Sequence, residues 1–255
     1  MTRNRLSSVS NAARVLKSFS STHPTWGVSA LASHLGLSTS SIHRLLATLT
    51  DEGVLDQDPA SGQYRLSLSV FDMAAALPTQ RSLHEAVLVS MTELRARTGE
   101  TVQVGVLDGR EVVYVERLDS PNTLRVFTEL GRRVLAHRTS SGKTILAFLP
   151  KAQREAVLTG WELDAPTDHT ITDLYVLRKN LAAIRRRGYG ENREESEPGV
   201  MSVAAPIRNE SGDVVAALSL AGPVERMSAN VTAYASAVMG FARTTSLQMG
   251  WMPRS

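Results

Sequence analysis

Two short runs of helical period stand almost end to end, Ser29 to Leu35 and a second that opens at Ser38 or Thr39 and closes near Gly53, with Gly36 and Leu37 between them. A glycine at such a junction takes a left-handed conformation at little cost, so the chain turns sharply and lays the second helix across the first. The crossing needs a small residue within the first helix and apolar residues at fixed offsets in the second. Ala32, Gly36, Leu37, Ile42 and Leu45 meet those requirements, and Leu46 and Leu49 extend the apolar face.

The flanking segments complete the unit. Upstream, Val9, Ala12, Ala13, Leu16 and Phe19 recur at helical spacing behind Ser8, and that helix ends before His23-Pro24. Downstream the period changes: Val54-Leu55-Asp56 and Tyr64-Arg65-Leu66 read as strands around the turn formers Asp58 to Gly62. Three helices and a hairpin make a winged helix-turn-helix, expected over residues 1–66.

The exposed face of its third helix carries Ser38, Thr39, Ser40, Ser41, His43 and Arg44. Short hydroxyls suit phosphate contacts, and a guanidinium reads guanine bidentately, so Arg44 is the candidate base reader. Taken one at a time, a Ser or His there is more often plain surface. The complete helix, turn, helix and wing reverse those odds. Arg65 beside the wing could touch a phosphate or the minor groove, and Arg3 and Arg5 could form a basic arm; solvated surface accounts for these three equally well.

Charge supports the same half. Net charge is only +3, yet residues 1–50 contain no acid and hold Arg3, Arg5, Arg14, Lys17 and Arg44, whereas Asp51, Glu52, Asp56 and Asp58 follow at once. So few cations gain modest counterion-release energy, and useful affinity for double-stranded operator DNA calls for two copies on one site. The absence of cysteine excludes disulfides, thiolate metal sites and cysteine nucleophiles. No stretch approaches the ~18 apolar residues of a membrane span and the N-terminus has no cleavable apolar run, so a cytoplasmic protein without membrane attachment is expected.

After the wing, residues 67–79 read as a connecting helix ending at Pro78, which gives a linker over 67–80. A second domain over 81–255 opens with an amphipathic helix from about Leu83 to Arg97, stopped by Gly99. Strands follow: Thr101–Leu107 and Glu111–Arg117 around Asp108-Gly109, then Leu124–Phe127. Helices are expected at Ser141–Leu149 and Asp173–Arg187, a second hairpin at Val200–Arg208 and Val214–Ala221, and a last helix at Val231–Gln248. Strand runs broken by helices give an α+β fold with an antiparallel sheet.

Two motifs in this half mislead. Ser140-Ser141-Gly142-Lys143-Thr144 ends like a phosphate loop, but His137 occupies the place of the first glycine. The same run holds S-x-x-K, but the companion motifs of serine acyl-transferases do not follow it. What remains is a serine-rich helix start, where free amides favour a carboxylate and where simple capping is an equally good account. His84, His137 and His169 are too far apart for a local metal motif, so no metal and no cofactor is expected.

The ordered signatures Leu45-Leu46-Ala47-Thr48-Leu49, Gly99-Glu100-Thr101, Val112 to Arg117, Ser141-Gly142-Lys143, Gly188-Tyr189, Glu194-Glu195, Gly199-Val200, Ala204-Ala205-Pro206 and Leu218 to Pro223 resemble those of the IclR family of bacterial regulators. The likeness runs from Ser8 to about Arg226. It implies a GAF-like effector domain, a homodimer or homotetramer on operator DNA, and a small organic acid or aromatic effector. By motif, the family's pocket falls on Leu124, Val126, Ser140, Ser141, Asn192, Ser202 and Ser219. Two positions depart: Asn192 stands where relatives that bind keto acids have an acid, and Ala221 where they have a second serine. Those positions offer hydroxyls, an amide and apolar groups with no charged clamp.

The expected function is therefore a ligand-responsive transcriptional regulator, not an enzyme, controlling a catabolic or metabolic operon. The rival is an enzyme acting on a small carboxylate with a regulatory DNA-binding head, motivated by the Ser-Lys pair; it lacks an identifiable base or nucleophile elbow. A purely architectural protein with an empty sensory fold is the third reading.

Overall fold

The computed structural model describes residues 6–20, 22–76, 78–126 and 130–253, so Arg3 and Arg5 lie outside the described residues. The chain divides into two compact units, Met1–Arg81 and Ser82–Ser255.

The first unit contains α1 (Ser7–Lys17), β1 (Thr25–Trp26), α2 (Val28–Leu35), α3 (Thr39–Asp51), β2 (Leu55–Gln57), β3 (Tyr64–Leu66) and α4 (Ser69–Ala75). Gly36 ends α2 at φ 64°, and the Leu37 amide reaches back to the Ala32 carbonyl at 3.0 Å, a left-handed cap only a glycine makes without strain. Ser38 caps α3 by accepting from the Ser41 amide at 3.3 Å. Val15, Leu31, Ala32, Ile42, Leu46, Leu55 and Tyr64 form the core beneath. The expected hairpin is a three-stranded sheet of order β1-β3-β2. At two residues, β1 was too short to show a period in the sequence.

The expected helix over residues 67–79 is instead two. α4 stops at Ala75, and Pro78 opens α5 (Pro78–Thr98) rather than closing its predecessor. A proline suits a first helical turn, where its missing N–H would have had no partner.

In the second unit, α5 leads to β4 (Thr101–Asp108), β5 (Glu111–Leu118), β6 (Arg133–Leu135), a 3-10 turn (Ala136–Arg138), α6 (Ser140–Phe148), α7 (Lys151–Leu158), α8 (Leu174–Arg187), β7 (Gly190–Arg193), β8 (Val200–Arg208), β9 (Val214–Pro223), α9 (Val224–Ala229) and α10 (Val231–Gln248). The strands make one antiparallel sheet of order β6-β5-β4-β9-β8-β7. Leu83, Val87, Met91 and Leu94 of α5 join Val238 and Ala242 of α10 in one core cluster with the sheet. Leu146 of α6 and Leu181 and Ile184 of α8 build a second cluster with Val112, Tyr114 and Trp161. Helices on both faces explain why β8 and β9 are buried almost continuously rather than alternately.

The expected strand at Leu124–Phe127 is absent over residues 124–126, and residue 127 lies outside the described residues. β6 pairs with β5 instead. Side-chain hydrogen bonds hold the segment: Ser120 Oγ donates to the Gly99 carbonyl at 2.5 Å and Thr101 Oγ1 to the Val126 carbonyl at 3.3 Å. Such local bonds offer backbone groups an alternative to a ladder.

Candidate functional site

The first candidate surface is α3. Its buried side is Ile42 and Leu46, which leaves Ser38, Thr39, Ser40, Ser41, His43 and Arg44 exposed on the remaining faces. The side chains of His43 and Arg44 form no hydrogen bond or ion pair with other described residues, so both are available to a partner. Ser38 and Ser41 are already engaged with each other, Oγ to Oγ at 2.8 Å, in the cap. Arg65 projects from β3 and faces Asp56 at 3.6 Å, both about half exposed, a pairing weak enough to yield to a phosphate. Arg14, one of the basic residues of the acid-free segment, is otherwise engaged: its guanidinium donates to the Leu35 carbonyl at 2.6 Å, capping the C-terminus of α2.

The second candidate lies in the other unit. Gln103 of β4, Ser202 of β8 and Ala221 of β9 line a cavity of about 60 Å³, with Thr139 at the start of α6 above them. Tyr114, Val126, Val134 and Val200 give it apolar wall. The structure brings Val126, Asn192 and Ser202 together there. Ser140 stands just behind, its Oγ 2.8 Å from that of Ser202. Ser141 is fully buried in the same helical turn. Ser219 is equally buried but bonds to the Gln103 carbonyl at 3.3 Å and does not line the cavity. Leu124 is 68% exposed and does not line it either; its carbonyl accepts from Arg226.

The expectation of a cavity without a charged clamp is overturned, because Arg132, Arg138 and Glu197 all line it. None of the three stands within a family signature. Arg132 pairs with Glu197 at 2.6 Å and Arg138 with Asp164 at 2.8 Å, so each guanidinium has a carboxylate. Yet Arg138 Nε is buried with no partner among the described residues, as is Gln103 Nε2. Each orphaned polar group costs about 1–3 kcal/mol, which an oxygen-rich ligand would recover. Burial pushes the Tyr114 phenol above its usual range, so it faces the cavity as a neutral hydroxyl.

Next to Arg138, the imidazole of His137 is wholly buried, edge-on to Trp161 with centroids 5.2 Å apart, and its Nε2 lies 2.9 Å from the Asp164 carbonyl. Burial drives its pKa down, against the opposing pull of Asp164. Among the described residues no group of His and acidic side chains could hold a metal ion.

Lys143, the lysine of the misleading motif, is fully buried, and its Nζ lies 2.5 Å from both carboxylate oxygens of Glu195. Burial depresses the ammonium despite that carboxylate. Glu195 in turn donates its amide to Asn192 Oδ1 at 2.8 Å, so the pair orients a cavity residue. Gly142 is fixed by contact: a Cβ there would strike the Ala136 backbone. Ser-Gly-Lys is thus a packing and ion-pair device beneath the cavity.

Residues 8–59 match the IclR helix-turn-helix domain, and residues 76–247 match the Bacterial transcriptional regulator IclR C-terminal domain. The chain belongs to the IclR family. Among curated IclR relatives, the HTH-type transcriptional regulator XynR of Escherichia coli is 34% identical over 222 residues, covering 87% of this chain and 88% of its own length. The regulator KdgR of the same organism is 33% identical, covering 88% of this chain and 86% of itself. Among solved structures, the Thermotoga maritima IclR aligns with a TM-score of 0.77 at 26% identity, covering 97% and 100% of the two chains. An IclR homolog from Microbacterium hydrocarbonoxydans, complexed with 4-hydroxybenzoate, aligns with a TM-score of 0.84 at 27% identity, covering 95% and 99%. This chain is accordingly a transcriptional regulator with a DNA-binding helix-turn-helix and a ligand-binding C-terminal domain. No described helix is long and apolar enough to cross a membrane.

Proposed function

We propose that the protein is a cytoplasmic regulator whose binding to operator DNA is set by a compact organic acid held in the cavity beneath α6. The observation that carries this reading is the coincidence there of unpartnered donors, Arg138 Nε and Gln103 Nε2, with the Ser140–Ser202 hydroxyl pair. Donors awaiting acceptors suit a carboxylate. The relative crystallised with 4-hydroxybenzoate supports an acid, and size narrows it. A cavity of ~150 Å³ holds benzene. This one offers about 60 Å³, so an aliphatic oxo- or hydroxy-acid fits as it stands, whereas a ring requires the walls to part.

Ser38, Thr39, Ser40, Ser41, His43 and Arg44 form the proposed operator-reading surface, with Arg65 at its edge. Two heads must meet half-sites one helical turn apart, ~34–36 Å, so the protein works as a homodimer or a larger even assembly. α4 supports self-association, since its Phe71 and Met73 are 74% and 56% exposed. Reciprocity follows: the effector that weakens operator binding is itself bound more weakly by the operator complex.

The test is binding of the full chain to its own upstream intergenic DNA across a salt series, with and without two- to four-carbon oxo- and hydroxy-acids. Arg44→Ala is expected to lose ~5–150-fold in specific affinity, the equivalent of one bidentate base contact. Arg138→Ala is expected to leave DNA binding intact and abolish the response to acid. Equal binding to any DNA, or an acid response unchanged in Arg138→Ala, would overturn the proposal.

A further inference from the structure

A second recess, sharing no lining residue with the effector cavity, opens where β8 meets α10 and the tail after it. Its volume is about 160 Å³. Met239, Pro206 and Trp251 give it an apolar lining, and Arg208 and Arg243 face it from β8 and α10. Neither arginine has a carboxylate within ion-pair distance among the described residues. Arg208 is half-buried, its guanidinium stacked 5.0 Å from the Phe148 ring and 5.7 Å from that of Trp251, with one N–H on the Gly212 carbonyl at 2.8 Å. Arg185 adds a third positive charge nearby, and Asp213 acts on Arg208 from beyond contact; burial and Arg185 together hold the Arg208 pKa below its usual range. Glu210 lines the neighbouring recess, which also contains Trp251 and Arg208.

Arg208 and Arg243 thus bring two guanidiniums to one recess without an acid in contact, and a carboxylate placed between them would be attracted by both. The apolar lining says what accompanies the anion. A space of ~150 Å³ accommodates one benzene ring, and an aromatic face stacks well on indole.

We propose that this recess is a second ligand site for an aromatic monocarboxylate, its carboxylate between Arg208 and Arg243 and its ring against Trp251, Met239 and Pro206. The site is independent of the effector cavity and takes the larger ligand. A ring that requires the effector cavity to open enters here without rearrangement. Occupancy ties the tail residue Trp251 to β8 and α10 through the ligand.

Benzoate is the probe and benzamide its neutral counterpart, titrated into the full-length protein by calorimetry and by tryptophan fluorescence. Saturable benzoate binding is expected, retained in Arg138→Ala, weakened ~10-fold or more in Arg243→Ala, and absent for benzamide. The fluorescence change should vanish in Trp251→Phe. Arg208→Ala also loses packing on two rings, whereas Arg243 is exposed, so Arg243→Ala is the deciding variant. No saturable binding, benzamide binding as well as benzoate, or an affinity untouched by Arg243→Ala would each overturn the proposal. Binding lost in Arg138→Ala would place benzoate in the effector cavity instead, and overturn it too. The proposal survives failure of the acid-effector reading, because it uses none of that cavity's residues.

Discussion

Replacing Lys143 with methionine keeps most of the side-chain volume and removes the charge, and it strands Glu195. The carboxylate is only 11% exposed and its two oxygens lie 2.5 Å from the lysine Nζ, so the variant leaves an anion in a poorly solvated site without its counterion. Breaking one partner of a buried pair costs about 3–5 kcal/mol. With a urea m-value of ~2–3 kcal/mol/M, the unfolding midpoint should fall by roughly 1–2.5 M. The companion variant decides the cause. Lys143→Met with Glu195→Leu removes both charges, and replacing a whole buried pair by apolar groups is often neutral or stabilising. The double variant should therefore recover most of the loss, giving a coupling of at least ~2 kcal/mol in the double-mutant cycle. Chemical denaturation of the full chain, followed by far-ultraviolet circular dichroism and by tryptophan fluorescence, reads both numbers. A single-variant cost below ~1 kcal/mol, or a double variant as unstable as the sum of the singles, would refute the assignment of Lys143 as one half of a buried pair. Because Glu195 donates to Asn192 Oδ1, the single variant should also weaken acid binding more than operator binding.

Gly36→Ala places a side chain at φ 64°, where nothing obstructs the added methyl, so its cost is the left-handed backbone alone, ~1–2 kcal/mol of the DNA-binding unit's stability; a neutral result would refute the cap. Gly142→Ala meets the Ala136 backbone instead and should destabilise the effector unit by ~1–3 kcal/mol or more, read by the same unfolding curves. His137 has a folded pKa below the usual 6.5, so the unfolded chain binds the extra proton first. Its stabilising effect is present in full above that value and is lost as pH falls below about 6.5, a slope that His137→Gln should flatten in melting temperature against pH; an unchanged slope would remove His137 as its source. Ser38→Ala removes the cap of α3 and should cost ~1 kcal/mol in thermal unfolding, with operator affinity reduced as the first turn frays.

The DNA-binding unit was legible because its determinants are local. A turn that needs a glycine, a cap that needs a hydroxyl three residues before an amide, and a buried stripe at Ile42 and Leu46 are all written within a dozen residues. The same holds for most of the second unit: the Asp108-Gly109 hairpin, the helix ending at Arg187 and the apolar runs of β8 and β9 follow from period and turn chemistry. Three residues placed by family motif, Val126, Asn192 and Ser202, meet in the cavity.

What the sequence left undecided depended on partners distant along the chain. Two-residue β1 exists because β3 offers it an edge, and Leu124–Val126 is not a strand because β6 holds the edge of β5 and hydroxyls hold the loop. Pro78 reads alike as an end or a beginning, and the fold made it a beginning. Arg132, Arg138 and Glu197 carry no period or motif that sends them to a cavity; only the curl of the sheet and the 3-10 turn before α6 bring them there. Lys143 shows the physical reason most sharply. In sequence a lysine is the residue least expected inside, and only a glutamate fifty-two positions away makes its complete burial tolerable. Local sequence settles what the backbone prefers; the energy of a buried charge or an unpartnered donor depends on which groups the tertiary fold sets opposite it.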